Sequence, residues 1–148
     1  MPDVNSRQQR GFTLIELLVV LALIAVASGL VSLAIRDPNA TALEQEAARL
    51  AALLESARAE ARASGLLVRW EAHGANGSKE FRFLGLPASI DIPQKWLTPG
   101  MSAEVVGAGA VVLGPEPLIG AQRIVLSLEE RHLTLVTDGL GPFEVLSE

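Results

Sequence analysis

Residues 11–20 read GFTLIELLVV, and this stretch decides how the rest of the chain is organised. A short polar segment with Arg7 and Arg10 precedes it, and no charged residue occurs between Glu16 and Arg36. An apolar run of roughly 20 residues is long enough to cross the hydrocarbon core of a bilayer as a helix. The sequence therefore predicts a transmembrane helix over residues 12–36.

Glu16 is the anomaly in this run, because a lone carboxylate facing lipid costs on the order of 3 kcal/mol. No cation stands in the apolar run to neutralise it. If the chain were cut between Gly11 and Phe12, the new α-amino group of Phe12 would lie one helical turn before Glu16. That amine and the carboxylate could pair, within one molecule or between two packed side by side. Pairing removes most of the cost of burying either charge alone.

The motif from Gly11 to Glu16, with its basic leader, resembles the processing site of type IV pilins and of type II secretion pseudopilins. The resemblance implies that a prepilin peptidase removes residues 1–11 and methylates the new amine of Phe12. It also implies that Glu16 contacts the N-terminus of a neighbouring subunit during assembly. An ordinary secretory signal and a plain uncleaved anchor are the alternatives. Neither accounts for Glu16, and a signal peptide has a shorter apolar core.

Length, charge and cysteine content limit the size of the head and the kinds of ligand it could bind. The chain has 148 residues, and leader and helix leave about 110 of them for one modest hydrophobic core. A net charge of −5 argues against nucleic-acid binding, which needs clustered Lys and Arg. The absence of cysteine excludes a structural disulfide and a thiolate metal site.

Arg7 and Arg10 favour a cytoplasmic N-terminus, so we expect a single-pass inner-membrane protein with its C-terminal part in the periplasm.

Residues 37–64 predict an amphipathic stalk helix. Asp37-Pro38-Asn39 interrupts the apolar run, with Thr41 or Asn39 as the expected cap, and Ser64-Gly65 is a typical helix end. Apolar residues recur at steps of four and three, which places them on one helical stripe. Its members are Leu43, Ala47, Leu50, Leu54, Ala57 and Ala61. The charged residues are predicted to lie mostly off this stripe, namely Glu46, Arg49, Glu55, Arg58, Glu60 and Arg62.

Residues 65–148 predict a β-rich head, because the hydrophobic period changes from 3.6 to 2 after Gly65. Asn76-Gly77 is a strong two-residue hairpin signal. Three prolines mark residues 85–100 as an irregular loop, which Trp96 is expected to pin to the core. Strands are predicted around residues 66–71, 81–83, 103–106, 110–113, 123–128, 132–137 and 143–146. The fold class is therefore α+β, a long N-terminal helix packed on a small antiparallel, sandwich-like head of about seven strands.

This pattern resembles the minor pseudopilin of the H type from type II secretion systems. The resemblance is carried by residues 7–35, 46–67 and 81–86, and by the run TDGLGPF at residues 137–143. It implies a structural subunit of the periplasmic pseudopilus that supports export of folded proteins across the outer membrane. It implies as partners other pseudopilins, the prepilin peptidase, the inner-membrane assembly platform with its ATPase, and the secreted substrate or outer-membrane channel. A minor type IV pilin, in pilus assembly or DNA uptake, is the alternative.

No residue pattern in the head predicts catalysis, a metal site or a cofactor. His73 and His132 have no acidic cluster nearby at metal-ligand spacing. Asp138-Gly139 is expected to be a turn, because calcium requires six or more oxygen ligands and Asp138 is the only local carboxylate. Major pseudopilins carry a C-terminal calcium loop and major type IV pilins a C-terminal disulfide, so the lack of both favours a minor subunit. An anchored periplasmic enzyme is the remaining, weaker alternative, and we expect a non-enzymatic protein.

Overall fold

The computed structural model describes residues 12–34, 37–73, 77 and 80–146. The chain divides into two compact units, Met1–Arg36 and Asp37–Glu148. In the first unit, helix α1 spans Leu14–Ala34. The predicted leader, residues 1–11, lies outside the described residues. No helix in the described ranges has both the length and the mean hydropathy of a membrane span.

Helix α2 spans Pro38–Ser64, in close agreement with the predicted stalk helix. Its cap is Asp37, whose Oδ1 accepts from the Asn39 backbone N–H at 2.9 Å, so the expectation of Thr41 or Asn39 was wrong. Pro38 is compatible with the first helical position because the first turn needs no internal N–H donor. Gly65 ends α2 in the left-handed conformation, as predicted.

Seven strands follow in the described part of the head, in two antiparallel sheets. One sheet has the order β2-β1-β4, with β1 at Arg69–Glu71, β2 at Arg82–Leu84 and β4 at Val111–Val112. The other has the order β3-β5-β6-β7, with β3 at Ser102–Val105, β5 at Gln122–Leu128, β6 at Arg131–Thr137 and β7 at Glu144–Val145. The predicted strands are therefore confirmed, most of them shorter than expected or shifted by a residue.

β1 pairs with β2 antiparallel, and Glu71 opposite Arg82 is the last described pair before the connection that holds the predicted Asn76-Gly77 turn. Gly77 has φ +72°, a conformation that favours glycine. Asn76 and its neighbours at 74–75 and 78–79 lie outside the described residues. The second predicted hairpin, β5 with β6, is confirmed in full, and Glu129 adopts φ +53° at its turn.

The core lies between α2 and the sheets. All six residues of the predicted stripe are at most 3% exposed, and α2 packs mainly against β5, β6 and β7. Trp70 and Phe81 add the largest buried rings. Trp96 packs edge-on against Phe81 with ring centroids 4.6 Å apart, which confirms that it anchors the loop at residues 85–100.

Candidate functional site

The N-terminal motif forms the start of α1. Thr13 stands just before the helix, and the backbone N–H of Glu16 lies 3.1 Å from the Thr13 carbonyl oxygen and 3.4 Å from its Oγ1. Thr13 therefore caps the helix and places Glu16 in the first turn. Phe12 is 78% exposed, and Gly11 lies outside the described residues.

Glu16 has no partner of its own in the described part of the chain. Its side chain is exposed, and no hydrogen bond or salt bridge to the carboxylate occurs within the described ranges. Around it the large apolar side chains of the described part of α1 are also exposed. They are Leu14, Ile15, Leu17, Leu18, Val19, Val20, Leu21, Leu23, Ile24 and Val26. The described part of this helix thus presents one carboxylate among many exposed apolar side chains.

In the head, α2 buries two charged side chains that the sequence placed off its apolar stripe. Glu46 and Arg58 are each only 2% exposed, although both lie off the stripe as predicted, so the buried surface of α2 extends beyond the stripe. At about 100° per residue they lie about 60° to either side of the centre of the stripe. Their spacing of three or four residues from stripe members such as Leu50 and Leu54 was the signal that a sequence reading could have used.

Glu46 holds the irregular loop at residues 85–100. Its Oε1 accepts from the backbone N–H groups of Leu97 and Thr98, both at 2.7 Å. Its Oε2 lies 3.2 Å from Arg49 Nη1, which also donates to the Lys95 carbonyl at 3.0 Å. Hydrogen bonds to an ionised acceptor are the stronger kind, so this carboxylate can remain buried while it organises the loop.

Arg58 does the same on the opposite flank of α2. Its guanidinium donates to the carbonyl oxygens of Gly139 and Gly141, both at 2.8 Å, and of Pro117 at 3.3 Å. Glu55 Oε1 lies 3.7 Å from the guanidinium and accepts from the Phe143 N–H at 3.2 Å. One buried cation therefore joins two loops that are distant in sequence to the same face of α2.

Hydrogen bonds between its own residues also stabilise the turn at residues 137–143. Thr137 Oγ1 accepts from the Gly139 N–H at 3.0 Å and donates to the Gly141 carbonyl at 2.9 Å. Asp138 Oδ1 accepts from the N–H groups of Leu140 at 2.9 Å and Gly141 at 2.8 Å. The Gly141 and Leu140 N–H groups hold the pKa of Asp138 below its ordinary 3.8. The predicted turn at Asp138-Gly139 is confirmed.

The two histidines lie on the surface of the head. His73 is exposed, and the exposed His132 lies 2.9 Å through Nδ1 from Ser127 Oγ on the neighbouring strand. A serine–histidine pair needs a third group and an oxyanion site to act as a nucleophile. No acidic residue bonds to His132 in the described ranges, and those ranges hold no group of three or more metal-ligating side chains.

Many of the basic side chains in the described part of the head are paired with carboxylates. Arg131 pairs with Asp37 at 2.8 Å. Arg82 pairs with Glu71, and Lys95 lies 3.8 Å from Glu80. Positive groups paired with carboxylates in this way do not form the unpaired basic patch on which phosphate binding depends.

Comparisons with known proteins address both units. Residues 6–35 match the family model of the prokaryotic N-terminal methylation motif. The type IV minor pilin FimU of Pseudomonas aeruginosa strain PAO1 has a similar crystal structure, with a TM-score of 0.54 and 14% sequence identity. The likeness covers 71% of this chain and 88% of the FimU chain. No relative among the curated proteins matches at a significant level.

The motif match and the structural match are consistent with each other. The α+β fold is similar to that of a type IV minor pilin, and the N-terminal motif, which is of the prokaryotic methylation type, supports membrane anchoring and methylation. At 14% identity the structural likeness concerns the fold alone.

Proposed function

We propose that this protein is a minor pseudopilin of the H type, a structural subunit of the periplasmic pseudopilus of a type II secretion system. The observation that carries the proposal is the match of residues 6–35 to the methylation motif, with Gly11, Phe12 and Glu16 at the required spacing. The H type rests on the resemblance of residues 46–67, 81–86 and 137–143. The FimU likeness favours a second candidate, a minor type IV pilin.

In this proposal the prepilin peptidase cuts after Gly11 and methylates the amine of Phe12. The subunit resides in the inner membrane through residues 12–36, with its head in the periplasm. Glu16, which lacks a partner within the described part of its own chain, neutralises the Phe12 amine of a neighbouring subunit. Each charge is costly when buried alone, so the pair favours one axial register between subunits.

The outer face of α2 fits packing in such a filament. Opposite the buried stripe, the exposed positions after Gln45 carry small side chains: Ala48, Ala52, Ser56, Ala59 and Ala63. Long charged side chains are the usual occupants of an exposed helix face. Small ones allow the close approach of another helix, as in a bundle at the centre of a filament.

The same proposal assigns the protein no catalytic role. Its partners are other major and minor pseudopilins, the prepilin peptidase, the inner-membrane assembly platform, and the secreted substrate. Capture of DNA is a property that we do not assign, because the chain carries a net charge of −5 and most of its described arginines have carboxylate partners.

Substitution of Glu16 tests the central step. We expect Glu16→Ala to keep leader removal and membrane insertion but to enter sheared filaments at least about tenfold less than wild type, because a buried amine is left unpaired. Glu44→Ala, at an exposed carboxylate of α2, is the matched control and should assemble normally. Wild-type incorporation of Glu16→Ala contradicts the pairing.

Two further measurements separate the candidates. Mass spectrometry of the mature chain should find a methylated Phe12 at the N-terminus, and a chain that begins at Met1 in assembling cells contradicts the proposal. Deletion of the gene should abolish export of folded proteins and leave surface pili intact. The opposite result assigns the protein to the type IV pilus.

A further inference from the structure

The turn at residues 137–143 presents a leucine to solvent from a rigid support. Leu140 is 71% exposed, while the backbone N–H or carbonyl groups of residues 139–141 are held by Thr137, Asp138 and Arg58. A side chain on such a support loses little conformational freedom when it binds. A segment that is already ordered costs less entropy to hold at an interface than one that must be ordered on binding.

A second exposed leucine stands on the adjoining loop. Leu118 is 64% exposed, and Arg58 holds its loop through the Pro117 carbonyl while the Ile119 N–H lies 3.4 Å from the Gly139 carbonyl. The backbones of Gly120 and Gly139 are in such close contact that a Cβ at Gly139 would lie 2.6 Å from the Gly120 oxygen. The two loops therefore form one surface.

An acidic groove borders Leu140. It has a volume of about 320 Å³ and is lined by Val136, Thr137, Asp138, Gly141, Pro142 and Glu144. Both charged residues in this lining are carboxylates. By contrast, the groove beside the equally exposed Leu97 on the other flank of α2 is lined by Arg49, Asp91 and Lys95, with both signs of charge. Charge of one sign specifies a partner of the opposite sign.

We propose that Leu118, Leu140 and the groove between Asp138 and Glu144, together the Leu140 surface, bind a neighbouring subunit that offers an apolar pocket bordered by Lys or Arg. The inference rests on the proposed function, since it takes the partner to be another subunit of the same filament. Beyond that function, the inference names the surface of the head where the neighbouring subunit binds and the apolar and charged contacts that bind it. Both leucines are expected to insert into the pocket, with the basic side chains over the groove.

Substitutions in the full-length chain, made in cells that assemble the filament, test this docking. Leu140→Glu should lower the amount of the subunit in sheared filaments at least about tenfold, since one buried leucine is worth roughly a factor of 10–100 in binding. Leu140→Ala should give a smaller loss in the same direction. Leu97→Glu is the matched control, because Leu97 is 73% exposed on the opposite flank. Leader removal and protease resistance of the head verify processing and folding.

Removal of the two negative charges of the groove tests whether basic side chains of the partner lie over it. Asp138→Asn keeps the acceptor that holds the turn, and Glu144→Gln keeps the side-chain shape. Together they should lower incorporation about threefold to tenfold. If this double variant enters filaments as wild type does, the partner's pocket is not bordered by Lys or Arg as proposed.

The outcomes distinguish this inference from the function on which it rests. Normal incorporation of Leu140→Glu, or an equal loss for Leu97→Glu, overturns the Leu140 surface and leaves the filament function standing. If wild-type chain is itself absent from sheared filaments, both proposals fall. A loss confined to the Leu140 and acidic variants, with processing intact, supports the inference.

Discussion

At the scale of single residues, Glu46 and Arg58 decide how the head is organised. Each buries one charge and satisfies it mainly with backbone groups, the carboxylate with two N–H groups and the guanidinium with three carbonyl groups. A buried charge without partners would cost several kcal/mol, so each loop must adopt the conformation that supplies them. Two side chains thus determine the paths of three loops that have little regular secondary structure.

Arg58→Ala is expected to lower the free energy of unfolding of the head by about 3–5 kcal/mol, because it strands buried carbonyl groups. Arg58→Lys should recover only part of this loss, since an ammonium group lacks the planar fork. Denaturant unfolding followed by fluorescence of Trp70 and Trp96 measures both. Arg62→Ala, at an exposed position of the same helix, should change stability by less than about 0.5 kcal/mol. A loss for Arg58→Ala no larger than for Arg62→Ala contradicts this account.

Asp37 makes the stability of the head depend on pH. The Asn39 N–H, and then Arg131, lower the pKa of Asp37 from its ordinary 3.8. Since the pKa is lower in the folded state, the stabilisation is complete above 3.8 and is lost as pH falls through the folded value. Asp37→Asn keeps the cap acceptor and removes the charge. We expect its urea midpoint to lie below that of wild type at neutral pH.

The difference between the two midpoints should shrink as the pH is lowered from about 5 to about 2, because wild-type Asp37 then becomes neutral too. Asp91→Asn, at an exposed carboxylate, serves as the control. A difference that is constant over this range would show that the charge of Asp37 does not stabilise the head.

At the scale of elements, α2 has four distinct faces. Its apolar stripe packs on the sheets, its two flanks hold loops through Glu46 and Arg58, and its outer face is lined by small residues. The β5–β6 turn adds a further tie at the start of α2, where Glu129 accepts from Asn39 Nδ2 at 2.7 Å and Arg131 pairs with Asp37. Most of the loops are therefore positioned by one helix.

The contact between the Gly120 and Gly139 loops gives a matched pair of substitutions. Gly139 has φ +90°, and a Cβ there would overlap the Gly120 backbone, whereas Gly107 has φ +76° and open space around it. Gly107→Ala should therefore cost about 1 kcal/mol for its backbone conformation alone. Gly139→Ala should cost about 3 kcal/mol or more, because the loops must also separate. Equal losses in thermal unfolding would contradict the close packing of the loops.

At the scale of the whole molecule, every residue of the described hydrophobic core lies between Leu43 and Phe143. The head unit, Asp37–Glu148, therefore contains its own core. The described part of α1 has exposed apolar side chains. Exposed apolar surface of that extent marks a segment that acts through membrane or protein partners.

A fragment of residues 37–148 is expected to fold without the first unit. Its urea unfolding should be cooperative, with a free energy of about 5–10 kcal/mol, as is usual for a domain of this size. Circular dichroism and the fluorescence of Trp70, which is fully buried in the core, are the measurements. A fragment that lacks a cooperative transition would show that residues 1–36 complete the core.

The sequence by itself determined the N-terminal methylation motif, the bounds of α2 and the succession of strands. These features follow from local signals: a charge in an apolar run, hydrophobic periods of 3.6 and 2, and glycine or proline at turns. Only the tertiary structure decided that Glu46 and Arg58 are buried, that Asp37 meets Arg131, and that Leu118 and Leu140 share one surface. Each of these depends on partners roughly 20 to 95 residues away, and no local pattern shows which backbone groups will satisfy a buried charge.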